Sequence, residues 1–269
     1  MIQKMLLQQA LTSVEMTKTL QREIQLARNI QMKLLNGQVP QLSNDEVSGI
    51  SIPARLIGGD YFDFYPLGNG NLRIIIADVM GKGIPAAMLM ILTRGAFRSA
   101  AGATDGPAET LNAMNNAIYK DLRTLNSFVT VFCADWDPNT GVFTYANAGH
   151  NPPIIVRGNV ETVEPPELKG VMLGGLSGQI YMEERVQLQK GDFVFFYTDG
   201  IVEAQNVDGQ MFKLERLVSI LIEYAHLNAG DLEAIVVDKI NEFAQDLVQK
   251  DDITMIVLKV NSDIVSAFL

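Results

Sequence analysis

The sequence predicts an α+β protein: antiparallel sheets covered by pairs of helices. Three observations carry this. Short apolar or alternating runs come in pairs joined by Gly-, Asn- and Asp-rich turns, the mark of hairpins. Two pairs of helix-length segments interrupt those runs. The order is hairpins, two helices, more hairpins, two helices and a last strand, which lacks the strict strand–helix alternation of a doubly wound sheet.

Residues 1 to about 36 read as one helix, free of Gly and Pro and rich in Gln, Leu, Met, Lys and Glu. Apolar residues recur at helical spacing at Leu7, Leu11 and Val14, then at Leu20, Ile24, Ala27 and Leu34. The two stripes fall out of phase near Lys18, so the segment reads as a short coiled coil or a docking helix, or as an amphipathic helix lying on its own domain. Asn36-Gly37 and Pro40 end it. Val47 to Arg55 alternates as a strand. Tyr61 to Leu67, a Gly68–Asn71 turn and Leu72 to Val79 form a hairpin. Ile84 to Ala101 is a helix with Pro85 in its first turn, and Pro107 to Lys120 is a second. Val129 to Trp136, the Asp137–Gly141 turn and Val142 to Asn147 make another hairpin. Ile154–Arg157 and Val160–Val163 flank a Gly158-Asn159 turn. Residues 181–187 and Asp192–Tyr197 are strands, Leu214–Ala225 and Asp231–Val248 helices, and Ile253–Val260 a final strand.

The 269 residues, 48% hydrophobic and 19% charged, suffice for one good core with a short appendage. A net charge of -10 disfavours nucleic acid and anionic membrane as partners. The single cysteine, Cys133, lies in an apolar strand-like run and reads as a buried small hydrophobe. One cysteine leaves no intrachain disulfide, which makes the cytoplasm the natural compartment. No signal peptide is visible, and the apolar stretch Pro85–Leu92 falls far short of the roughly 20 residues a membrane span needs.

Acidic residues share one context, the end of a strand or the turn beside it. They occur in Gly58-Gly59-Asp60-Tyr61-Phe62-Asp63, in Ala77-Asp78-Val79-Met80-Gly81-Lys82-Gly83, in Tyr197-Thr198-Asp199-Gly200 and in Lys250-Asp251-Asp252-Ile253-Thr254. Singly, each is an ordinary turn. Together they suggest carboxylates that repel one another unless cations neutralise them. Oxygen ligands without a His/Cys set point to magnesium or manganese and away from zinc. The residue pattern alone does not bring the four ends together.

These motifs, in order, resemble the PPM phosphatases of the SpoIIE/RsbU type. The resemblance covers about residues 25 to 260. It rests on Ala27-Arg28-Asn29-Ile30-Gln31, Gly58–Asp63, Asp78–Ala87, Asn147-Ala148-Gly149-His150-Asn151-Pro152-Pro153, Thr198–Ile201 and Asp251–Thr254. It implies an αββα sandwich of two antiparallel sheets flanked by helix pairs, with a regulatory or dimerisation helix at 1–36 and a phosphatase domain at 37–262. It implies two divalent cations, Mn2+ or Mg2+. Asp78 would bridge them, the Val79 carbonyl would serve the second, Asp199 and Asp251 the first, and Asp60 would act beside the pair. The choice of Asp251 over Asp252 follows from aligning the first acid of the pair.

The resemblance further implies hydrolysis of phosphoserine or phosphothreonine on a phosphorylated STAS-type regulatory protein in a partner-switching pathway. The apolar stripe of Leu20, Ile24, Ala27 and Leu34 predicts a homodimer through residues 1 to 36, and the resemblance implies an activating regulator at that helix, whose signal would reach the metals through the helix beginning at Ile84. Rivals are a silent PPM-like binding module and a small-molecule phosphohydrolase. Met80 stands where eukaryotic-type relatives carry His, so leaving-group protonation needs another group or water. His150, in a Gly-His-Asn-Pro-Pro turn, reads as structural and His226 as a surface residue. Gly81-Lys82-Gly83 lacks phosphate-loop spacing.

Overall fold

The computed structural model describes residues 2–35, 39–163, 168–245 and 247–263. After the long helix α1 (Ile2–Leu35), ten strands fall into two five-stranded sheets. One sheet has the order β1-β10-β9-β6-β7: Glu46–Ile52, Ile253–Lys259, Phe193–Tyr197, Ile154–Val156 and Thr162–Val163. The other has the order β2-β3-β4-β5-β8: Tyr61–Pro66, Leu72–Val79, Val129–Asp137, Val142–Ala148 and Glu184–Gln187. All ladder pairs are antiparallel.

Three apolar layers follow from strand alternation. Ile74, Ile76, Phe132, Trp136 and Phe143 point from the second sheet toward Phe196, Ile256 and Leu258 of the first, making the core between sheets. Ile75, Ala77, Val131 and Cys133 point the other way, onto α2 (Ile84–Ala101) and α3 (Pro107–Thr124) through Met90, Phe97, Leu111 and Met114. Phe193, Phe195, Met255 and Val257 pack outward onto α5 (Lys213–Glu223) and α6 (Ala229–Ala244) through Leu217, Leu221, Val236 and Ile240. The run Ile74-Ile75-Ile76 is unbroken because both faces of its strand are covered. This is the expected sandwich, and Cys133 is buried as expected.

Several boundaries differ from the sequence expectation. Asp199–Val202 forms one helical turn, α4, instead of a plain turn. The strand expected from Val160 begins at Thr162, because Val160 has φ 66. The strand expected over 181–187 is limited to Glu184–Gln187, with Tyr181 buried against α3. The last helix ends at Ala244, short of Val248: Gln245 takes φ 53 and ψ -128, which breaks the helix.

On α1 the face toward the protein is also displaced. Gln31 and Leu35 are buried and Ile24 and Arg28 half-buried, whereas Leu20 and Ala27 of the expected stripe are exposed. A polar residue leads the docking face. Gln31 donates from Nε2 to the Gly58 carbonyl (2.8 Å) and accepts at Oε1 from the Gly58 amide (3.2 Å).

Candidate metal centre

The acidic turns meet at one end of the sandwich, where strands of both sheets terminate. Asp78 is the penultimate residue of β3, Asp60 precedes β2, Asp199 follows β9, and Asp251 and Asp252 precede β10. Electrostatics shows the convergence. Burial raises the Asp78 carboxyl to about 7, helped by the charges of Asp199, Asp251 and Asp252. Burial likewise holds Asp60 well above the usual carboxylate range, with Asp78 the next cause. Asp199 is raised by burial, then by Glu203 and Asp251. Negative groups crowded in this way favour a bound cation.

The neighbouring acids Asp251 and Asp252 have separate surroundings. Asp252 is 9% exposed and faces inward as a backbone anchor. Its Oδ1 accepts from the Ala54 amide (2.8 Å) and its Oδ2 from the Gly59 amide (2.6 Å). The close approach explains the glycines: a Cβ on Gly58 would lie 2.5 Å from Asp252 Oδ2, and one on Gly200 only 1.9 Å from the Asp252 carbonyl. Asp251 is more open, and its Oδ2 pairs with Lys82 Nζ at 2.6 Å. Asp63, in the same motif as Asp60, is turned into the protein, where it accepts from Tyr61 Oη at 2.7 Å and pairs with Arg98.

Threonines complete the frame, and sequence reasoning passed over them. Thr198, fully buried, donates from Oγ1 to Asp60 Oδ2 (2.8 Å). The Thr254 amide donates to that same hydroxyl (3.0 Å), and the Thr198 amide donates to the Thr254 carbonyl (3.0 Å). Both residues sit inside the quoted motifs, but a hydroxyl beside an acid carries no sequence signal of its own. Among the described residues, no three Asp, Glu, His or Cys side chains are already drawn to ligand distance of one point. Several are engaged elsewhere: Asp60 with Thr198, Asp251 with Lys82, and Asp252 with the backbone.

The donor set nevertheless fits a hard divalent cation. It consists of carboxylate oxygens and the Val79 carbonyl, which lies 3.2 Å from where a Gly59 Cβ would be. The soft and nitrogen donors are elsewhere: Cys133 is in the core under α2, and His226 is exposed. His150 is buried with both ring nitrogens bonded, Nδ1 to Thr130 Oγ1 (2.9 Å) and Nε2 to the Tyr197 carbonyl (3.2 Å). Burial lowers its pKa to about 4, so the ring is neutral. A cavity of about 240 Å³ borders Asp251, lined also by Lys82, Gly200, Ile240, Ala244 and Ile253.

The family model described as Stage II sporulation protein E (SpoIIE) matches residues 68–261, most of the chain and three of its four acidic turns. The chain belongs to the SpoIIE family. It is 32% identical over 237 residues to phosphoserine phosphatase RsbU of Bacillus subtilis (strain 168), covering 88% of this chain and 70% of RsbU. Among solved structures, the SiaA-PP2C domain of Pseudomonas aeruginosa superposes with a TM-score of 0.77 at 21% identity, over 90% of this chain and 98% of that one. The catalytic domain of serine/threonine protein phosphatase PstP, solved in complex with two manganese ions, superposes with a TM-score of 0.57 at 15% identity, over 81% and 99%. As a SpoIIE-family member related to RsbU, the chain is a protein-serine/threonine phosphatase. Asp60 lies just ahead of the segment matched by the family model, yet Thr198 and Asp252 tie its turn to the rest.

Proposed function

We propose that this SpoIIE-family phosphatase removes phosphate from phosphoserine or phosphothreonine on a regulatory protein, using Mn2+ or Mg2+ held by Asp60, Asp78, Val79, Asp199 and Asp251. The observation that carries this reading is the meeting of the four acidic turns, with the Asp78 carboxyl raised to about 7 by burial and its neighbours. Two cations bound there would lower the pKa of water and offset charge on the phosphoryl oxygens. The chain's own residues do the rest. Thr198 fixes one oxygen of Asp60, orienting that carboxylate beside Asp78. Asp252 holds the Gly59 turn, which keeps Asp60 beside Asp78. The cavity beside Asp251 leaves room for a residue flanking the phosphate.

Kinship with RsbU supports a phosphorylated STAS-type protein as substrate and the cytoplasm as the site of action. No described helix is long and apolar enough to cross a membrane. Residues 1–36 act as a regulatory or dimerisation helix and 37–262 as the phosphatase domain. Met16, Leu20, Leu26 and Ile30 are exposed on one face of α1, an apolar strip suited to a second copy or an activating regulator. Gln31 would carry the signal: it grips Gly58, next to Gly59, whose Cβ position lies 3.0 Å from Ala86 of α2.

The test is turnover of a phosphorylated STAS protein against nucleotide monophosphates, with chelator and with added Mn2+ or Mg2+. Activity should vanish with chelator, return with either metal, favour the phosphoprotein and disappear in Asp78→Asn. That variant should melt no lower than wild type, since it relieves repulsion. Turnover by metal-free enzyme would overturn the cation assignment. Preference for nucleotides would make the protein a small-molecule hydrolase, and metal binding without any turnover would make it a silent binding module.

A further inference from the structure

We infer that His150 is a positioning residue that sets the separation of Asp78 and Asp199 by bracing one sheet against the other. The inference rests on the reading above, in which those two aspartates hold cations.

His150 lies on the connection between β5 of one sheet and β6 of the other, at the end of the sandwich where the acids meet. Its own backbone is locked. The His150 amide donates to Asn147 Oδ1 (2.8 Å), and Asn147 Nδ2 donates to the His150 carbonyl (2.9 Å). Gly149 before it takes φ 76, a conformation costly to other residues. The ring is thus aimed, and it spans two strands. A carbonyl only accepts, so Nε2 carries the hydrogen and donates to Tyr197, the last residue of β9 and two residues before Asp199. The ring is neutral, so Nδ1 accepts from the Thr130 hydroxyl. Thr130 sits opposite Asp78 in the β3–β4 ladder, and its hydroxyl lies 3.5 Å from the Asp78 carbonyl.

The two ends of the brace therefore stand beside the two carboxylates that oppose each other across the sheets. Thr198–Asp60 and Asp252–Gly59 also cross between the sheets at this end, and the His150 brace joins them in resisting the repulsion of the acids. A neutral side chain that donates at one end and accepts at the other does so without adding charge of its own. A fixed spacing matters most for small ions: Mg2+ demands ligands at about 2.0–2.1 Å, while Ca2+ tolerates about 2.3–2.6 Å in flexible shells. The brace should therefore favour Mn2+ and Mg2+ over Ca2+.

The experiment is calorimetric titration of the 269-residue chain with Mn2+ and with Ca2+, alongside thermal unfolding, for wild type, His150→Ala, His150→Gln and Thr130→Val. In His150→Ala the Mn2+ dissociation constant should rise roughly 10–100-fold, the range for groups that orient metal ligands. The Ca2+ constant should rise less, so the Mn2+/Ca2+ preference falls. His150→Gln, whose amide can still donate to Tyr197, should recover part of it. Should His150→Ala fail to fold, Thr130→Val carries the test, since it removes one end of the brace and keeps a β-branched residue in the strand. Unchanged Mn2+ affinity in folded variants would overturn the proposal. So would an equal loss for both ions with a lower melting temperature, the signature of plain destabilisation. If wild type binds no Mn2+, the cation reading itself fails and the brace falls with it.

Discussion

Lys82 Nζ lies 2.6 Å from Asp251 Oδ2 and 2.7 Å from the Lys250 carbonyl, so a cation of the protein's own sits on one of the expected metal ligands. Lys82 is flanked by Gly81 (φ 101) and Gly83 (φ 72), on the loop that carries Asp78 to α2. Sequence reasoning set it aside because it forms no phosphate loop. Its geometry gives it another part, as a tethered competitor for Asp251.

A divalent ion binding through Asp251 must displace the ammonium or share the carboxylate with it. The pair is exposed, 39% and 37% for the two side chains, so it is worth no more than about 1 kcal/mol, or roughly fivefold in binding. Lys82→Met should tighten Mn2+ binding by about twofold to fivefold, an effect that shrinks as salt is raised. Weaker Mn2+ binding in the variant would mean that Lys82 supports the site instead of competing for it.

Much of this arrangement was legible in the sequence, and the remainder was not for definable reasons. The hairpins β2–β3 and β4–β5 showed because their partners adjoin in the chain and their turns carry Gly, Asn and Asp. The pairing of β1 with β10 joins residues some 200 positions apart, as in Ser51↔Thr254, and no local pattern marks it. The acids were found as a set, but the division of labour between Asp251 and Asp252 was not. It depends on which side chain meets the amides of Ala54 and Gly59, a tertiary fact. On α1, reading apolar residues alone gave a stripe that includes Leu20 and Ala27, because the docking face is led by an amide whose partner is backbone.

Gln31 is 4% exposed and satisfies both polar groups of Gly58. Gln31→Ala leaves a buried carbonyl and amide without partners, at a cost of about 1–3 kcal/mol. The melting temperature should fall, and amide exchange at residues 57–60 should quicken more than in the central strands. Unchanged exchange there would show that α1 does not hold the Gly58 turn.

The exposed apolar side chains of α1 lead to a test of assembly. Val14, Met16 and Leu20 are at least half exposed, on a helix whose buried side chains, among the described residues, lie in its last turns. The intact chain should sediment as a dimer, and a chain starting near Asn36 as a monomer. If both are monomers, the helix awaits a different partner.

Glu233 of α6 is 6% exposed and faces β1, where its Oε2 accepts from Ser48 Oγ at 2.6 Å. Its Oε1 is buried with no partner. Burial raises its pKa to about 7 from an ordinary value near 4.5. The folded protein thus holds this proton over a range where the unfolded chain has released it. Between pH 4.5 and 7 the native state binds more protons than the unfolded state, so this group lowers stability as pH rises, and the penalty is complete above about pH 7. Its size is on the order of 1–3 kcal/mol, the cost of a buried charge half satisfied by one hydroxyl. Glu233→Gln keeps an acceptor for Ser48 and cannot ionise. Its advantage over wild type in urea unfolding should therefore grow from pH 5 to pH 8. A constant difference between the two proteins across that range would show that Glu233 ionises as easily in the folded state as in the unfolded one.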